Sequence, residues 1–408
     1  MIAALSFLIY TAISAFFVFE VGHQIEAENG TRLRDRRRLW HALFCVACFA
    51  LLYAGYNVFC TLTSAQMGGD RTAYLIDFTG GTAGSLSTGL RGVFTLMHAL
   101  GVNYYGLLYF TTFVYVAVCV ACFLTSGLND RYALLFFVLT DAVFFSFTAL
   151  KQIYACIFAT ILFTVALKKT TPLRVIVCIA MIALAYLFHN SAIILIPTYP
   201  LLLIAKSKKL PTWAVFSVIG LLVLSVVFMD KIAIVVAEIV EPIKPSVAAK
   251  IKGYFGTDKA DFGTAAFIKG LPFYLITALG ILRRGKLRER IPCYDALLWM
   301  SALGAVLYLS SFQSYWMSRA TEFYFFPICI FLGQLTRETL RELKARCPAA
   351  PTEAEQISRL RAVCQNGVQL LRMGVRSPSC WLCAGIYASE LVVIVRWLAL
   401  IYINYGGF

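Results

Sequence analysis

The chain has 408 residues, of which 60% are apolar and only 14% charged, with a mean hydropathy of +0.77. Those figures exclude a disordered chain, a coiled coil and an ordinary soluble enzyme, and describe one membrane-embedded helical bundle. The formal net charge of +15 follows from basic loops gathered on one side of a membrane, so nucleic acid is not expected as a partner.

Apolar runs long enough to span a bilayer recur about twelve times, near 2–21, 39–62, 102–125, 131–148, 151–167, 172–188, 190–205, 212–229, 264–282, 293–311, 317–335 and 380–403. The fold class is therefore all-α: a polytopic membrane protein with external interfacial helices and a cytoplasmic amphipathic arm. The first run lacks a basic leader and is read as a span, not a cleavable signal. Arg32, Arg34, Arg36, Arg37 and Arg38 follow it and mark the first cytoplasmic loop. Alternation then places both termini outside. It puts Arg131, the Lys168–Lys169–Arg174 cluster, Lys206–Lys209, Arg283–Arg290 and the basic residues from Arg337 to Arg376 inside. The resulting organisation is a bundle over 1–335 with external loops at 63–101 and 230–263, a cytoplasmic arm at 336–378, and a last span at 379–408. Asn29-Gly30-Thr31 falls inside and is not a glycosylation site; Cys380-x-x-Cys383 opens a span, has no second pair and is not a zinc site.

In the first external loop a helix begun at Asp70 sets Asp70, Tyr74 and Asp77 on one face. Residues 86–100 then read as an amphipathic interfacial helix, with Leu86, Leu90, Val93, Phe94, Met97 and Leu100 on one side and Arg91, Thr95 and His98 on the other. The apolar stretch 131–167 is interrupted only around Lys151-Gln152, and 172–205 only by His189-Asn190-Ser191 and Pro197. Both breaks fall at the outer face, where freed backbone groups need partners beside a water-filled cavity. In the second external loop Pro242 and Pro245 break any long helix. The eleventh span opens on Arg319, with Glu322 three residues on and placed to pair with it. Asp141, Glu390 and Arg396 read as contacts inside the bundle, and Thr352-x-x-Glu355 as a capping box opening a helix in the arm.

The polar residues are thus one-sided. Asp70, Arg71, Asp77, Arg91, Lys151, His189 and Arg319 gather at the outer face, with cations in excess. Such a set suits a lipid phosphate or diphosphate, which Arg clamps with its planar fork. No paired acids, His cluster or Gly-rich phosphate loop calls for a metal, a nucleotide or another cofactor.

The order of these motifs resembles the EpsG family of exopolysaccharide proteins, which are similar to Wzy-type polysaccharide polymerases. It consists of Gly68-x-Asp70-x-x-x-Tyr74, then Lys151-Gln152-x-x-Ala155, then His189-x-Ser191-Ala192, then Arg319 with Phe323-Tyr324. The likeness spans about 40–335. Two departures stand out: the family usually has Arg where Lys151 stands, and residues 336–408 are an addition. The resemblance implies a glycosyltransferase of the bacterial cytoplasmic membrane. It would join the reducing end of an undecaprenyl-diphosphate-linked glycan to a hydroxyl of the next lipid-linked repeat unit. It also implies a setting among membrane lipids and export-system partners. On that reading Asp70, Asp77, His189 and Arg319 are the catalytic candidates. Arg71, Tyr74, Arg91, Lys151, Gln152 and Tyr324 are the substrate-binding ones. The alternatives are a ligase or transferase using another lipid-linked donor, and a flippase or transporter of lipid-linked saccharides.

Overall fold

The computed structural model describes residue 12, residues 36–63, 69–80, 86–128, 131–139, 149–207, 211, 213, 217, 220, 224, 228–242, 245–256, 263–310 and 319–346. The expected spans at 2–21 and 380–403, most of the span at 212–229, Asp141, and the arm beyond 346 lie outside them.

Every regular element among the described residues is helical. In chain order they are α1 (Arg36–Thr63), α2 (Gly69–Gly80), α3 (Thr88–Ala99), α4 (Tyr104–Thr125), α5 (Arg131–Leu139), α6 (Leu150–Ala166) and α7 (Pro172–Phe188). A 3-10 turn, Asn190–Ile194, then leads into α8 (Leu195–Ser207). Next come α9 (Met229–Val240), α10 (Pro245–Gly256), α11 (Gly263–Leu287) and α12 (Tyr294–Ser310). A second 3-10 turn, Glu322–Tyr324, opens α13 (Phe325–Arg346). Among the described residues, two segments are long and apolar enough to cross a bilayer alone: α4, and the 18 residues Asn190–Ser207. Four shorter apolar helices accompany them: Val46–Val58, Leu150–Ala166, Pro172–Phe188 and Tyr294–Ser310.

Local chemistry sets the ends. The Asn103 side chain accepts from Gly106 N–H and starts α4. Thr171 does the same for Arg174 N–H, with Pro172 at the first turn of α7. Pro245 likewise opens α10, so the second loop is a helical hairpin, α9 against α10, broken where the prolines stand.

The centre is built on α6 and α12, which are buried on nearly all faces. Helix α6 packs against α4 and α7, and α12 packs against α8, α11 and α13. Gly333 of α13 lies so close to α5 that a Cβ there would stand 2.7 Å from the backbone nitrogen of Ala133, so only glycine allows that helix contact. At the end rich in Arg and Lys, buried Asp295 of α12 takes Arg284 at 3.0 Å and Arg288 at 2.5 Å, tying α11 to α12. Arg283 pairs with Glu342 of α13 at 2.5 Å. Burial alone would raise the Glu342 carboxyl; the Arg283 hydrogen bond and the nearby Arg283, Lys286 and Arg290 charges outweigh it and hold the carboxyl below its ordinary range. Helix α13 does not stop at 335 but runs to Arg346, through the start of the expected arm. Nothing in Thr336–Arg346 breaks a helix, and the Arg341–Glu338 pair at 2.7 Å supports it from within.

Candidate functional site

The first-loop helices form as their patterns require. In α3, Leu90, Phe94 and Met97 are buried while Arg91, Thr95 and His98 are exposed. Helix α2 buries Tyr74 and Phe78, one turn apart on one face, and exposes Thr72, Ala73 and Ile76. Phe78 joins the two: it meets Phe94 edge-on at 5.0 Å between ring centroids and stacks on His98 at 4.2 Å. His98 is thus a packing partner of the loop, not a merely solvated residue.

Helix α2 reaches the start of α6. The ammonium of Lys151 lies 5.7 Å from the centroid of the Tyr74 ring, a cation–π contact worth about 0.5–2 kcal/mol according to its desolvation. The next residue, Gln152, is buried, and its Nε2 donates to the backbone carbonyl of Arg319, 167 residues away. Gln152 Oε1 and Thr321 Oγ1 are both buried without a hydrogen-bond partner among the described residues. Buried polar atoms so placed are costly unless something else satisfies them.

Helix α3 reaches the end of α7. A Cβ on Gly89 would stand 2.7 Å from the Phe188 ring, so the absence of a side chain lets α3 lie directly on it. Phe188 also stacks on Tyr154 of α6 at 4.9 Å, and the Tyr154 hydroxyl hydrogen-bonds Thr111 at 2.9 Å. His189 follows Phe188 and caps the 3-10 turn: its Nδ1 accepts from Ser191 N–H at 3.3 Å and meets Ser191 Oγ at 2.5 Å. With Nδ1 accepting, the neutral ring carries its proton on Nε2. His189 is therefore set to donate a hydrogen bond, and its accepting nitrogen is engaged within the fold.

These contacts bring Tyr74, Lys151, Gln152 and Arg319 together directly, and bring His189 in through Phe188, Tyr154 and α3. Arg319 and Asp77 are half-buried, and Arg91 is exposed. Asp70 and Arg71 occupy the first turn of α2, where the backbone alone is described. Tyr324 stands apart. It is fully buried, and its hydroxyl meets Thr198 Oγ1 at 2.6 Å, while that oxygen donates to the Ile194 carbonyl at 2.7 Å. The Tyr324 proton is thus committed to Thr198, bracing the start of α13 against α8. Tyr324→Phe is expected to cost about 1 kcal/mol of stability and leave turnover near that of the parent protein, which thermal unfolding in detergent and an activity assay would check. Among the described residues no three His, Cys, Asp or Glu side chains form a group able to hold a metal.

One polar residue of the bundle was not singled out from the sequence. Asn57 of α1 is buried and donates to Thr112 of α4 at 2.5 Å; an amide within an apolar span was the available signal. Glu322 is buried in the 3-10 turn just after Arg319.

The EpsG family model matches residues 41–344. The chain belongs to the EpsG family. EpsG proteins are membrane-embedded, Wzy-like polysaccharide polymerases of the glycosyltransferase type, acting on lipid-linked glycans. The EpsG match takes in α1 to α13 almost entire, including the part of α13 that runs past residue 335. No curated protein and no solved structure matches the chain.

Proposed function

We propose that the chain polymerises undecaprenyl-diphosphate-linked repeat units at the external face of the bacterial cytoplasmic membrane, without a metal. Membership of a polymerase family supplies the reaction class. The observation that supports the residue assignment is the joining of Lys151-Gln152 to both Tyr74 and the Arg319 backbone, which sets the start of α6 beside the segment that carries Arg319.

The acceptor hydroxyl of one lipid-linked unit attacks the anomeric carbon at the reducing end of the donor glycan. A new glycosidic C–O bond forms and the bond from that carbon to the diphosphate oxygen breaks. Undecaprenyl diphosphate leaves with the bonding pair, and the acceptor proton passes to a nearby base. The leaving group is already a good one, so the protein's share is to hold the developing charge and align the hydroxyl. Arg319 and Lys151 hold the diphosphate, with Arg71 and Arg91 at its approach. Tyr74 fixes the Lys151 ammonium, and Gln152 fixes the turn that carries Arg319. His189 binds substrate oxygen, and the base is Asp77 or Asp70.

Purified protein given lipid-linked repeat units is expected to yield a ladder of longer glycans. Unchanged glycan length would point to a transporter instead. The ladder is expected to persist in excess EDTA. Its complete loss, with recovery on adding a divalent ion, would refute the metal-free mechanism.

A further inference from the structure

At the other end of the bundle, on the face that the loop charges assign to the cytoplasm, α11, the turn that follows it and α13 flank an open pocket of about 800 Å³. It is lined by Lys286, Arg290, Glu338, Arg341, Glu342 and Ala345. Its two acids already serve arginines. Glu342 takes Arg283 at 2.5 Å and Arg290 at 3.7 Å; Glu338, with its side chain only 3% exposed, takes Arg341 at 2.7 Å and Arg337 at 3.7 Å. The acids therefore act as anchors that hold the guanidinium groups in place, and cations remain in excess. The charge of Lys286, which also acts on Glu342, adds to those of Arg290 and Arg341 at the rim. A loop that is basic only because it faces the cytoplasm needs no such fixed arrangement.

A second observation points to the kind of ligand. On α11, Ala278, Leu282 and Gly285 are exposed along one face that leads to Lys286. Leu282 is 74% exposed, and nothing among the described residues lies within 4 Å of where a Cβ on Gly285 would stand. An uncovered apolar track thus ends at a cluster of cations. That is the shape of an amphiphile with a negatively charged head.

We propose that this pocket binds the phosphate of an anionic phospholipid of the cytoplasmic leaflet, with an acyl chain lying along Ala278, Leu282 and Gly285. The site stands independently of the polymerase reading, since none of its residues belongs to the group around Arg319. It gives the α11–α13 end a lipid that bridges two helices already joined by the Arg283–Glu342 pair. Free phosphate compounds share the headgroup chemistry but not the acyl chain, and so the two sources separate experimentally.

The test is native mass spectrometry of the full chain in neutral detergent. It would be titrated with phosphatidylglycerol or with phosphatidylcholine of the same acyl chains, with inorganic phosphate at about 10 mM as competitor. Phosphatidylglycerol is expected to be retained over phosphatidylcholine and to resist the phosphate. Lys286→Ala and Arg341→Ala should each weaken retention about fivefold, and Lys286→Arg should restore it. Gly285→Leu keeps every charge but fills the track, so it should also weaken retention. Lys286 and Arg341 are exposed at the rim, so these variants are expected to fold, and an unchanged melting temperature would establish it. Equal retention of the two lipids, alanine variants that bind like the parent, or displacement of the lipid by inorganic phosphate would each overturn the proposal.

Discussion

Replacing Arg319 by lysine is expected to lower polymer formation roughly 10²-fold while leaving the protein folded. The charge is kept; what is lost is the planar fork that spans two phosphate oxygens at once. Arg319 is half-buried on the turn before α13, and its carbonyl is held by Gln152 from α6. A lysine would inherit the same backbone position, so the change isolates the head group. Lys151→Arg is the converse test. It installs the residue usual for the family and keeps a cation over the Tyr74 ring, where arginine stacks at least as well. Turnover should be retained or raised. An Arg319→Lys variant as active as the parent would remove Arg319 from the charge clamp.

The second large effect concerns the base. Asp70→Asn and Asp77→Asn preserve shape and remove charge. A carboxylate that accepts the hydroxyl proton should lose roughly 10²–10⁴-fold in turnover with donor binding largely kept. An acid that only favours the start of a helix should cost about 1 kcal/mol of stability and little activity. Asp70 stands in the first turn of α2, where the helix dipole alone accounts for an acid; Asp77 stands two turns later and has no such explanation. Asp77→Asn is therefore expected to show the larger loss. His189 gives the contrast. Since its Nδ1 is taken up by Ser191, a donor such as Gln at position 189 should retain more activity than an alanine. If both aspartate variants turn over normally, the base lies elsewhere.

The helices of the first loop were legible in the sequence because their burial follows a simple period. The i, i+4 spacing in 86–100 sets Leu90 and Phe94 inward and Arg91 and Thr95 outward, as found. The breaks at Lys151-Gln152 and at His189 were legible because polar residues interrupt otherwise apolar stretches. What they touch was not. The Gln152–Arg319 hydrogen bond joins residues 167 apart, and no local pattern encodes which carbonyl a buried amide will find. The roles of His98 and Tyr324 were hidden for a related reason. An aromatic ring beside polar neighbours suits either a ligand or another side chain. Only the fold shows His98 on Phe78 and the Tyr324 hydroxyl on Thr198. The length of α13 was missed because hydropathy falls after Leu335, whereas helix formation does not require apolar residues and continues through Arg341 and Glu342.

On this proposal, glycan transfer from a lipid diphosphate takes place beside Lys151 and Arg319. The most direct measurement follows, in one reaction, the number of glycosidic bonds formed and the undecaprenyl diphosphate released, for the parent protein and for Arg319→Lys. One diphosphate is expected to be released per bond formed, with both quantities falling together in the variant. Release without chain growth, chain growth without release, or a variant that matches the parent in both would contradict it.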